Sequence, residues 1–408
     1  MNNANVDWPQ GDVTRIPFTL YTDPDVFALE MKKIFCGDSW AYVGLEAEIP
    51  TPGDFKTTVI GDKPVVVARD ETGAIRAFPN RCAHRGVKFC RQEYGHTRHF
   101  VCPYHQWSYD LEGRLRGVPF IKGVNKQGGM PADFDRDDHR LPPLSVTSRH
   151  GVIFASFASD LPDLETYLGE SNLAYFDRVF DGRALRVLGY SRQLIPGNWK
   201  LMFENIKDPY HASLLHVFLV TFGLFRADNP SAVKMDATGA HGLLISRKGE
   251  QKRSQATQDM QNLREDFALA DARLLDPVKE FAGDATVVMQ TIWPNLIVQQ
   301  QSNTLALRQI RPRNASSFEL HWTFFGFADD DEAMTRRRLR QANLMSAAGL
   351  VSADDSEIIK LTQDGVSRFP DQSAVLLMGG RDTDDTDHMI TEAAIRAFYR
   401  HYRSVMQL

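Results

Sequence analysis

Short apolar runs with alternating polar positions dominate the chain between about residues 40 and 157. The runs WAYVGL (40–45), KPVVVARD (63–70) and IRAF (75–78) are separated by turn residues, and WSYDLEGRLRG (107–117) has the pattern of a hairpin with a Glu-Gly turn. Runs of this length, rich in β-branched and aromatic residues and bounded by turns, are typical of strands. We therefore predict a small all-β domain in this part of the chain.

The pattern outside this region is mixed. Apolar periodicity predicts one helix near residues 26–35 and a helical stretch around 198–220. Further elements are predicted as strands at 285–292, 296–310 and 318–327, a long helix over roughly 331–363, and a last amphipathic helix from Thr391 towards Gln407. Runs of strands followed by helices favour an α+β fold over alternating βαβ units.

These changes of pattern divide the chain into three parts. We predict an N-terminal helical segment at 1–38 that packs on the last domain, a small all-β domain at 39–158, and a larger domain at 159–408. The larger domain is expected to be built on an antiparallel sheet flanked by helices, so the predicted fold class is α+β.

Composition and charge narrow the functional classes. The 408 residues are 43% hydrophobic and 24% charged, which is ordinary for a globular protein. A net charge of −5 without a Lys/Arg stripe argues against a nucleic-acid partner. The longest aliphatic-aromatic stretch, at 217–225, is too short to span a bilayer, and the first residues lack the pattern of a secretory signal. We expect a cytoplasmic protein with no membrane or nucleic-acid partner.

Two Cys/His pairs lie in the predicted β domain. One residue separates Cys82 from His84, and two separate Cys102 from His105. Two thiolates and two imidazoles form a set of metal ligands: Zn²⁺ would take all four in one tetrahedron, whereas a Rieske [2Fe–2S] cluster takes two histidines on one iron and two cysteines on the other. The tight C-x-H pair and the Cys-His, Cys-His order favour the cluster. The remaining alternative is a buried Cys/His set without a metal.

The other two cysteines do not fit this set. Cys36 precedes the β domain and Cys90 lies outside both pairs. Four cysteines are too few for a disulfide framework in a chain of this size. We therefore predict that Cys36 and Cys90 are small buried hydrophobic residues.

A second group of candidate ligands lies in FENIKDPYHASLLH at 203–216, where Asp208, His211 and His216 form D-x₂-H-x₄-H. Two histidines with a more distant carboxylate make the 2-His-1-carboxylate triad of non-haem Fe(II) oxygenases. Residues five apart lie about 140° apart around a helix. Both histidines can therefore bind one iron only if the helix is distorted or ends between them. Histidines satisfied within the core are the alternative interpretation.

The passages NRCAHRG…CPYHQWSYDLEG and NWKLMFENIKDPYHASLLH resemble the Rieske and catalytic motifs of large subunits of Rieske-type aromatic-ring-hydroxylating oxygenases. The resemblance covers nearly the whole chain, and it implies a Rieske domain followed by a catalytic domain. Carried over residue by residue, it makes His211 and His216 ligands of a mononuclear Fe(II). It implies that Asp208 bridges His211 to the cluster ligand His105 of an adjacent chain, and it places Asn205 near the iron.

The third iron ligand is expected in GLVSADDSEIIKLTQDG at 349–365. This segment resembles the family segment in which an acidic pair opens a helix and the second acid binds iron. The resemblance makes Asp355 the expected ligand and Asp354 the substitute. The alternative is that one of these carboxylates only caps a helix at 356–363.

The resemblance also implies the reaction and the partners. A separate reductase takes electrons from NAD(P)H and passes them through a ferredoxin to the cluster, and O₂ is the co-substrate. The family assembles as a homotrimer of large subunits, often with a small β subunit. Two functions of other classes remain open from the residues alone, namely a Rieske electron carrier without oxygenase activity and a zinc-stabilised binding module.

The resemblance is strongest to members of the family that act on small carboxylated benzenes. It implies 5-hydroxylation of salicylate, with 1,2-dioxygenation of anthranilate or another substituted benzoate as the alternative. An aromatic carboxylate should be held by a fixed cation in an apolar pocket. Arg308, in the apolar run LALRQI, is the candidate if its strand face is directed inward; directed outward, it is an ordinary surface arginine. The candidate wall residues are Met202, Leu219, Val220 and Val298.

Overall fold

The computed structural model describes residues 6–222, 224–248, 254–258, 270–271, 273, 276–346 and 349–408. The chain forms two compact units. The β unit is Phe35–Leu161, and the mixed unit combines the residues up to Ile34 with Pro162–Leu408. In the part of the chain that the structure describes, no helix combines the length and apolarity needed to cross a membrane.

The elements are numbered in chain order. The strands are β1 Arg15–Pro17, β2 Ala41–Leu45, β3 Asp54–Ile60, β4 Lys63–Arg69, β5 Ile75–Pro79, β6 Tyr94–His96, β7 His99–Val101, β8 Ser108–Asp110, β9 Leu115–Gly117, β10 Ser145–Arg149, β11 Val152–Ser156, β12 Leu185–Ile195, β13 Ser231–Met235, β14 Gly242–Arg247, β15 Ala285–Ile292, β16 Leu296–Gln301, β17 Thr304–Asn314, β18 Ser317–Phe327 and β19 Ser373–Val375. The α-helices are α1 Thr19–Thr22, α2 Pro24–Glu30, α3 Leu164–Leu168, α4 Glu170–Val179, α5 Trp199–Lys207, α6 His211–Leu215, α7 Val217–Thr221, α8 Gln255–Gln258, α9 Glu332–Met345, α10 Leu350–Val366 and α11 Ala393–Met406.

Three antiparallel sheets build the β unit, with the strand orders β5-β4-β3-β6, β7-β8-β9 and β10-β11-β2. The strands predicted at 40–45, 63–70 and 75–78 and the hairpin at 107–117 are confirmed as β2, β4, β5 and β8–β9. An aromatic cluster that includes Phe55, Phe78 and Phe100 fills the core of this unit. Cys90 belongs to the same cluster, as predicted for a small buried residue, whereas Cys36 is only partly buried.

A seven-stranded antiparallel sheet forms the centre of the mixed unit, in the order β12-β18-β17-β16-β15-β14-β13. Leu243, Ile245 and Val288 share one face, where Tyr175 of α4 packs on them. Residues directly paired across neighbouring strands project to the same side of a sheet. The opposite face carries the pairs Leu244↔Met289, Val287↔Gln301 and Ile297↔Arg308.

The apolar run at 296–310, expected as one strand, is a hairpin. β16 ends at Gln301 and β17 begins at Thr304, and the two strands pair antiparallel. Ser302 lies between them with a φ of 53°, in the left-handed region. The buried Asn303 attaches the turn to α9, because its backbone N–H donates to Gln341 Oε1 at 2.8 Å. The polar pair Ser-Asn was the signal for this turn.

The long helix expected over 331–363 is two helices. Asp331 caps the start of α9 by accepting a hydrogen bond from the N–H of Met334. The helix ends at Met345, and Ser346 after it has extended backbone. The second helix, α10, begins after Gly349, where a Cβ would lie only 2.0 Å from Leu344 O. The position therefore requires glycine. Asp355 lies inside α10, so the alternative that it caps a helix at 356–363 is wrong.

One buried cation at the end of α5 is unusual. Lys207 is buried, and its Nζ has no hydrogen-bond partner among the described residues. It lies 5.8 Å from the ring centroid of Phe398. Burial lowers the pKa of Lys207 to about 7, although the carboxylate of Asp236 opposes the shift.

We expect Lys207→Met to stabilise the protein, most strongly at neutral and acidic pH. Because the folded-state pKa of Lys207 is lowered, the unfolded chain binds more protons between about pH 7 and pH 10. The penalty for this lysine is thus complete below pH 7 and disappears as the pH rises to the unfolded value. Thermal melts from pH 6 to 9.5 should show a gap between variant and wild type that closes with rising pH. Lys279→Met, at an exposed lysine, is the control and should show no such gap. A pH-independent gap for Lys207→Met would contradict the prediction.

Candidate metal centres and cavity

Two loops of the β unit bring together the four predicted cluster residues. Cys82 follows β5 and Cys102 follows β7, and both thiols are buried. Cys82 Sγ lies 3.2 Å from the hydroxyl oxygen of Tyr109, whose hydroxyl also accepts from the N–H of Ala83 at 3.0 Å. Burial raises the pKa of the Cys102 thiol, and the neighbouring Cys82 adds to that effect. The two sulfur atoms therefore lie side by side within the unit.

The two histidines of this set lie on its outer side. His84 is exposed and His105 is half-buried, and their ring centroids are 4.6 Å apart. His84 stacks on the buried Trp107 at 4.7 Å, with the rings nearly parallel. In a Rieske cluster the two thiolates bind one iron and the two imidazoles bind the other. Buried cysteines with more exposed histidines suit this division. The four residues therefore fit a Rieske cluster.

A second set of ligands lies in the mixed unit, where His211, His216 and Asp355 offer one ligand atom each within 4.8 Å of one another. Asp355 Oδ1 lies 3.4 Å from His211 Nε2 and 3.2 Å from His216 Nε2. Burial alone would raise the pKa of Asp355, but hydrogen bonds with the two histidines hold it well below its ordinary value. Two imidazoles and one carboxylate are the donor set of the non-haem iron facial triad.

The backbone between the two histidines meets the condition that their spacing imposed. His211 is the first residue of α6, and the helix ends at Leu215. His216 follows with φ −89° and ψ 79°, outside the helical region, and α7 starts after it. The prediction that the helix ends between the histidines is confirmed. The break turns His216 towards Asp355, which an unbroken helix would not do.

Hydrogen bonds fix the orientation of both rings. His211 Nδ1 contacts the backbone carbonyl of Asp208, and His216 Nδ1 lies 3.2 Å from Asp354 Oδ2. In each ring this leaves Nε2 directed at Asp355. Support of this kind holds metal-binding histidines in one tautomer and one orientation. Asp354 thus contacts His216 on the side away from the three candidate ligand atoms.

Asn205 and Asp208 lie next to this set. Asn205 Nδ2 donates to Asp355 Oδ1 at 3.0 Å, and its buried Oδ1 has no partner among the described residues. The carboxylate of Asp208 lies 3.9 Å from His211 Nδ1, beyond hydrogen-bond distance, and 23% of the side chain is exposed. Burial of the remainder raises the pKa of Asp208 to about 6. This carboxylate makes no hydrogen bond to the imidazole within the chain.

The His/His/Asp set opens into a cavity of about 60 Å³. Besides the three candidate ligands, its lining consists of Asn205, Ile206, Asp208, Pro209, Ala212, Leu219, Phe225, Leu244, Val287, Met289, Gln301, Arg308 and Val351. Most of these side chains are apolar, and the polar ones are concentrated at the ligand set and at the pair Gln301 and Arg308. A mostly apolar cavity with a few directed polar groups is typical of a small-molecule site.

Arg308 is the cation of this cavity. It is 4% exposed, and its guanidinium lies 4.0 Å above the centroid of Trp322. Nε and Nη2 both donate to Gln299 Oε1, at 2.8 Å for Nε. Among the described residues Arg308 forms no ion pair, and burial lowers its pKa to about 9, although the carboxylate of Asp355 opposes the shift. A buried guanidinium without a carboxylate is costly unless an anion joins it.

Two of the five substrate-contacting residues expected from the sequence, Arg308 and Leu219, line the cavity, whereas Met202, Val220 and Val298 do not. All three are buried elsewhere. Val298 pairs with Gln290 and Leu307, so it projects from the face opposite to Arg308. Val220 follows Leu219 on α7 and lies about 100° further around the helix, and Met202 is about one turn before Ile206 on α5.

Two family models match this chain. The family model "Ring hydroxylating alpha subunit (catalytic domain)" matches residues 176–408, and the "Rieske [2Fe-2S] domain" model matches residues 39–127. The large oxygenase component of salicylate 5-hydroxylase from Ralstonia sp. is 50% identical over 405 residues, which cover 98% of this chain and 96% of the relative. The anthranilate 1,2-dioxygenase large subunit from Burkholderia cepacia is 43% identical over 99% of this chain and 96% of its own.

A solved structure shares the fold. Naphthalene 1,2-dioxygenase from Rhodococcus sp., bound to indole, superposes with a TM-score of 0.79 at 25% identity, over 96% of this chain and 94% of that one. The family carries a Rieske [2Fe–2S] cluster and a mononuclear iron, and the two sets of side chains described above fit these groups. The chain belongs to the Rieske non-haem iron ring-hydroxylating oxygenases, as an alpha subunit with a Rieske domain and a catalytic domain.

Proposed function

We propose that this chain is the terminal oxygenase that hydroxylates salicylate at ring position 5. The observation that carries the proposal is Arg308, a buried guanidinium without an ion-pair partner in the described chain, in the same cavity as His211, His216 and Asp355. An aromatic carboxylate supplies the missing anion. The 50% identity to the large oxygenase component of salicylate 5-hydroxylase supports the choice of substrate.

Separate residues of the proposed site bind the substrate and hold the metal groups. Arg308 holds the carboxylate through the donors that Gln299 leaves free, and Leu219, Phe225 and Met289 hold the ring by apolar contact. His211, His216 and Asp355 hold the mononuclear iron. Cys82, His84, Cys102 and His105 hold the cluster. When bound, the iron activates dioxygen and the cluster supplies electrons.

Asp208 and Asn205 complete the proposed site. The carboxylate of Asp208 is partly exposed; Oδ1 accepts from the backbone N–H of His211 at 3.4 Å, but the carboxylate makes no hydrogen bond to the imidazole. It can therefore accept a further hydrogen bond from His105 of an adjacent chain. Such a link places the cluster of one chain beside the iron of the next and requires an oligomer, which we propose is a homotrimer, with or without a small β subunit. Asn205 holds Asp355 Oδ1 and keeps the carboxylate in place.

The electron donors are proposed to be a ferredoxin and a reductase that uses NAD(P)H. A cytoplasmic location suits them, and none of the four cysteines forms a disulfide, as is usual in a reducing compartment.

Arg308→Leu tests the proposed substrate. With a ferredoxin, a reductase, NAD(P)H and O₂, we expect the wild type to convert salicylate to the 5-hydroxy product. The variant should raise KM for salicylate about 10- to 100-fold, because a hydrogen bond to a charged group contributes roughly 1.5–3 kcal/mol. Liquid chromatography with mass spectrometry identifies the product, and initial rates give KM.

Arg313→Leu is the matched control, since Arg313 lies on the same strand but is 60% exposed and paired with Glu319. It should leave KM unchanged. An unchanged KM in Arg308→Leu would remove Arg308 from the site. Faster conversion of anthranilate to a dihydroxylated product would instead favour the 1,2-dioxygenase activity, which the same arginine could serve.

A further inference from the structure

The buried arginine is connected to the helix that carries Asp355. Arg308 stacks on Trp322, whose Nε1 donates to Gln193 Oε1 at 2.9 Å. Trp322 is 1% exposed, so its ring cannot move without its neighbours. Indole N–H is only a donor, which fixes the orientation of the Gln193 amide. Gln193, on β12 at the edge of the sheet, thus holds the surface on which the guanidinium rests.

The same amide binds α10 twice. Ser352 Oγ donates to Gln193 Oε1 at 2.9 Å, and Gln193 Nε2 donates to Ser356 Oγ at 2.9 Å. Ser356 Oγ then donates to the backbone carbonyl of Ser352 at 2.7 Å. Gln193 Oε1 only accepts and Nε2 only donates in these hydrogen bonds. The orientation of the Gln193 amide and of both serine hydroxyls is therefore fixed.

Asp355 lies between these two serines on α10. Ser352 is one turn before Asp355, and Ser356 is the next residue. The helix is therefore held by Gln193 at the turn that carries the carboxylate. Asp355 is 5% exposed and contacts His211, His216 and Asn205 on the cavity side. A shift of this turn would move the carboxylate relative to both imidazoles.

We propose that Gln193 is a positioning residue that couples occupancy of the Arg308 anchor to the placement of Asp355. The proposal rests on the proposed function of Arg308 as the carboxylate anchor. A carboxylate that binds the guanidinium alters the stacking of Arg308 on Trp322. Trp322 Nε1 and Ser352 Oγ of α10 both donate to Gln193 Oε1, so the change reaches α10. Coupling of this kind needs a physical connection whose arrangement both sites influence, and the hydrogen bonds through Gln193 provide one.

Gln193→Leu tests the coupling because it removes all three hydrogen bonds of the amide. The readout is the EPR spectrum of Fe(II) protein with oxidised cluster, treated with nitric oxide as a probe of the mononuclear iron, before and after salicylate is added. Equilibrium dialysis measures salicylate affinity on the same samples. In the wild type, salicylate should change the spectrum. In Gln193→Leu, salicylate should bind within about three-fold of wild type while the spectral change is lost.

Two further variants separate coupling from a general structural role. Gln193→Glu keeps an acceptor for Trp322 and Ser352 and should retain the spectral change. Leu194→Ala, at an exposed neighbour on the same strand, should behave as wild type. If Gln193→Leu does not fold, Ser352→Ala removes one of the two bonds to α10 without altering β12, and it should reduce the spectral change.

The outcomes distinguish this proposal from the proposed function. A full spectral response in Gln193→Leu, or no response in a wild type that binds salicylate, overturns the coupling. Loss of affinity in Gln193→Leu as large as that in Arg308→Leu also overturns it, because Gln193 would then belong to the anchor itself. Equal salicylate affinity in Arg308→Leu and wild type instead overturns the proposed anchor and leaves the substrate to be found.

Discussion

Asp355→Ala should lose the mononuclear iron and retain the cluster. The carboxylate is buried between two imidazoles, within 3.4 Å of both Nε2 atoms, and no other carboxylate of the described residues takes that position. We expect the variant to bind about one iron fewer per chain, to keep the sulfide of the cluster, and to turn over at least about 10³-fold more slowly. Metal and acid-labile sulfide analyses with steady-state rates measure these effects.

Asp354→Ala is the matched control for this change. Asp354 is the adjacent acid, but its Oδ2 contacts His216 Nδ1 on the far side of the ring. Loss of such support weakens metal binding by about 10–100-fold. Excess Fe(II) should therefore restore activity to Asp354→Ala and not to Asp355→Ala. Restored activity in both variants, or loss of iron only in Asp354→Ala, would show that Asp355 is not the iron ligand.

Asp208→Asn should keep both metal groups and yet slow turnover by about 10- to 100-fold. The substitution preserves the size of the side chain and the backbone carbonyl that contacts His211 Nδ1, so the iron site remains intact. It removes the charged acceptor that is proposed to bind His105 of an adjacent chain. We expect normal iron content and normal oligomer size, but slow reoxidation when the chemically reduced protein is mixed with O₂ and salicylate in a stopped-flow spectrometer.

Asp385→Asn, at an exposed carboxylate far along the chain, controls for loss of one negative charge. It should reoxidise at the wild-type rate. A fully active Asp208→Asn would rule out the bridging role. A variant that loses its iron would instead indicate that Asp208 supports His211 in the same chain, so metal content decides between the two roles.

The proposed metal ligands could be selected from the sequence because they lie in short, local segments. Cys82 and His84, like Cys102 and His105, lie on single loops, and a resemblance was enough to select them. The spacing of His211 and His216 even predicted that the helix must end between them. Asp355 depended on the resemblance alone, since the polar pair at 354–355 suits a helix cap equally well. Only the register of α10 distinguishes the two acids.

The cavity wall could not be predicted in the same way. Its residues belong to strands that are distant in sequence, and strand register decides which side chains face Arg308. Without the turn at Ser302, the sequence does not align β16 with β17, so it does not identify Gln299 as the hydrogen-bond partner of Arg308. Val298 is close to Arg308 along the chain and was therefore expected in the cavity wall. It projects from the face of the sheet opposite to Arg308. Met289 and Leu244 could be found only from the paired sheet.

Alternation along β15 has a consequence for how this enzyme can evolve. Val287 and Met289 line the cavity, whereas Val288 between them packs in the core on the opposite face. Substitutions at Val287 and Met289 change the cavity wall, whereas a smaller residue at Val288 leaves a cavity in the core. We therefore expect different constraints on neighbouring positions of this strand. Substitutions at every second residue of β15 are the expected route to a changed ring preference.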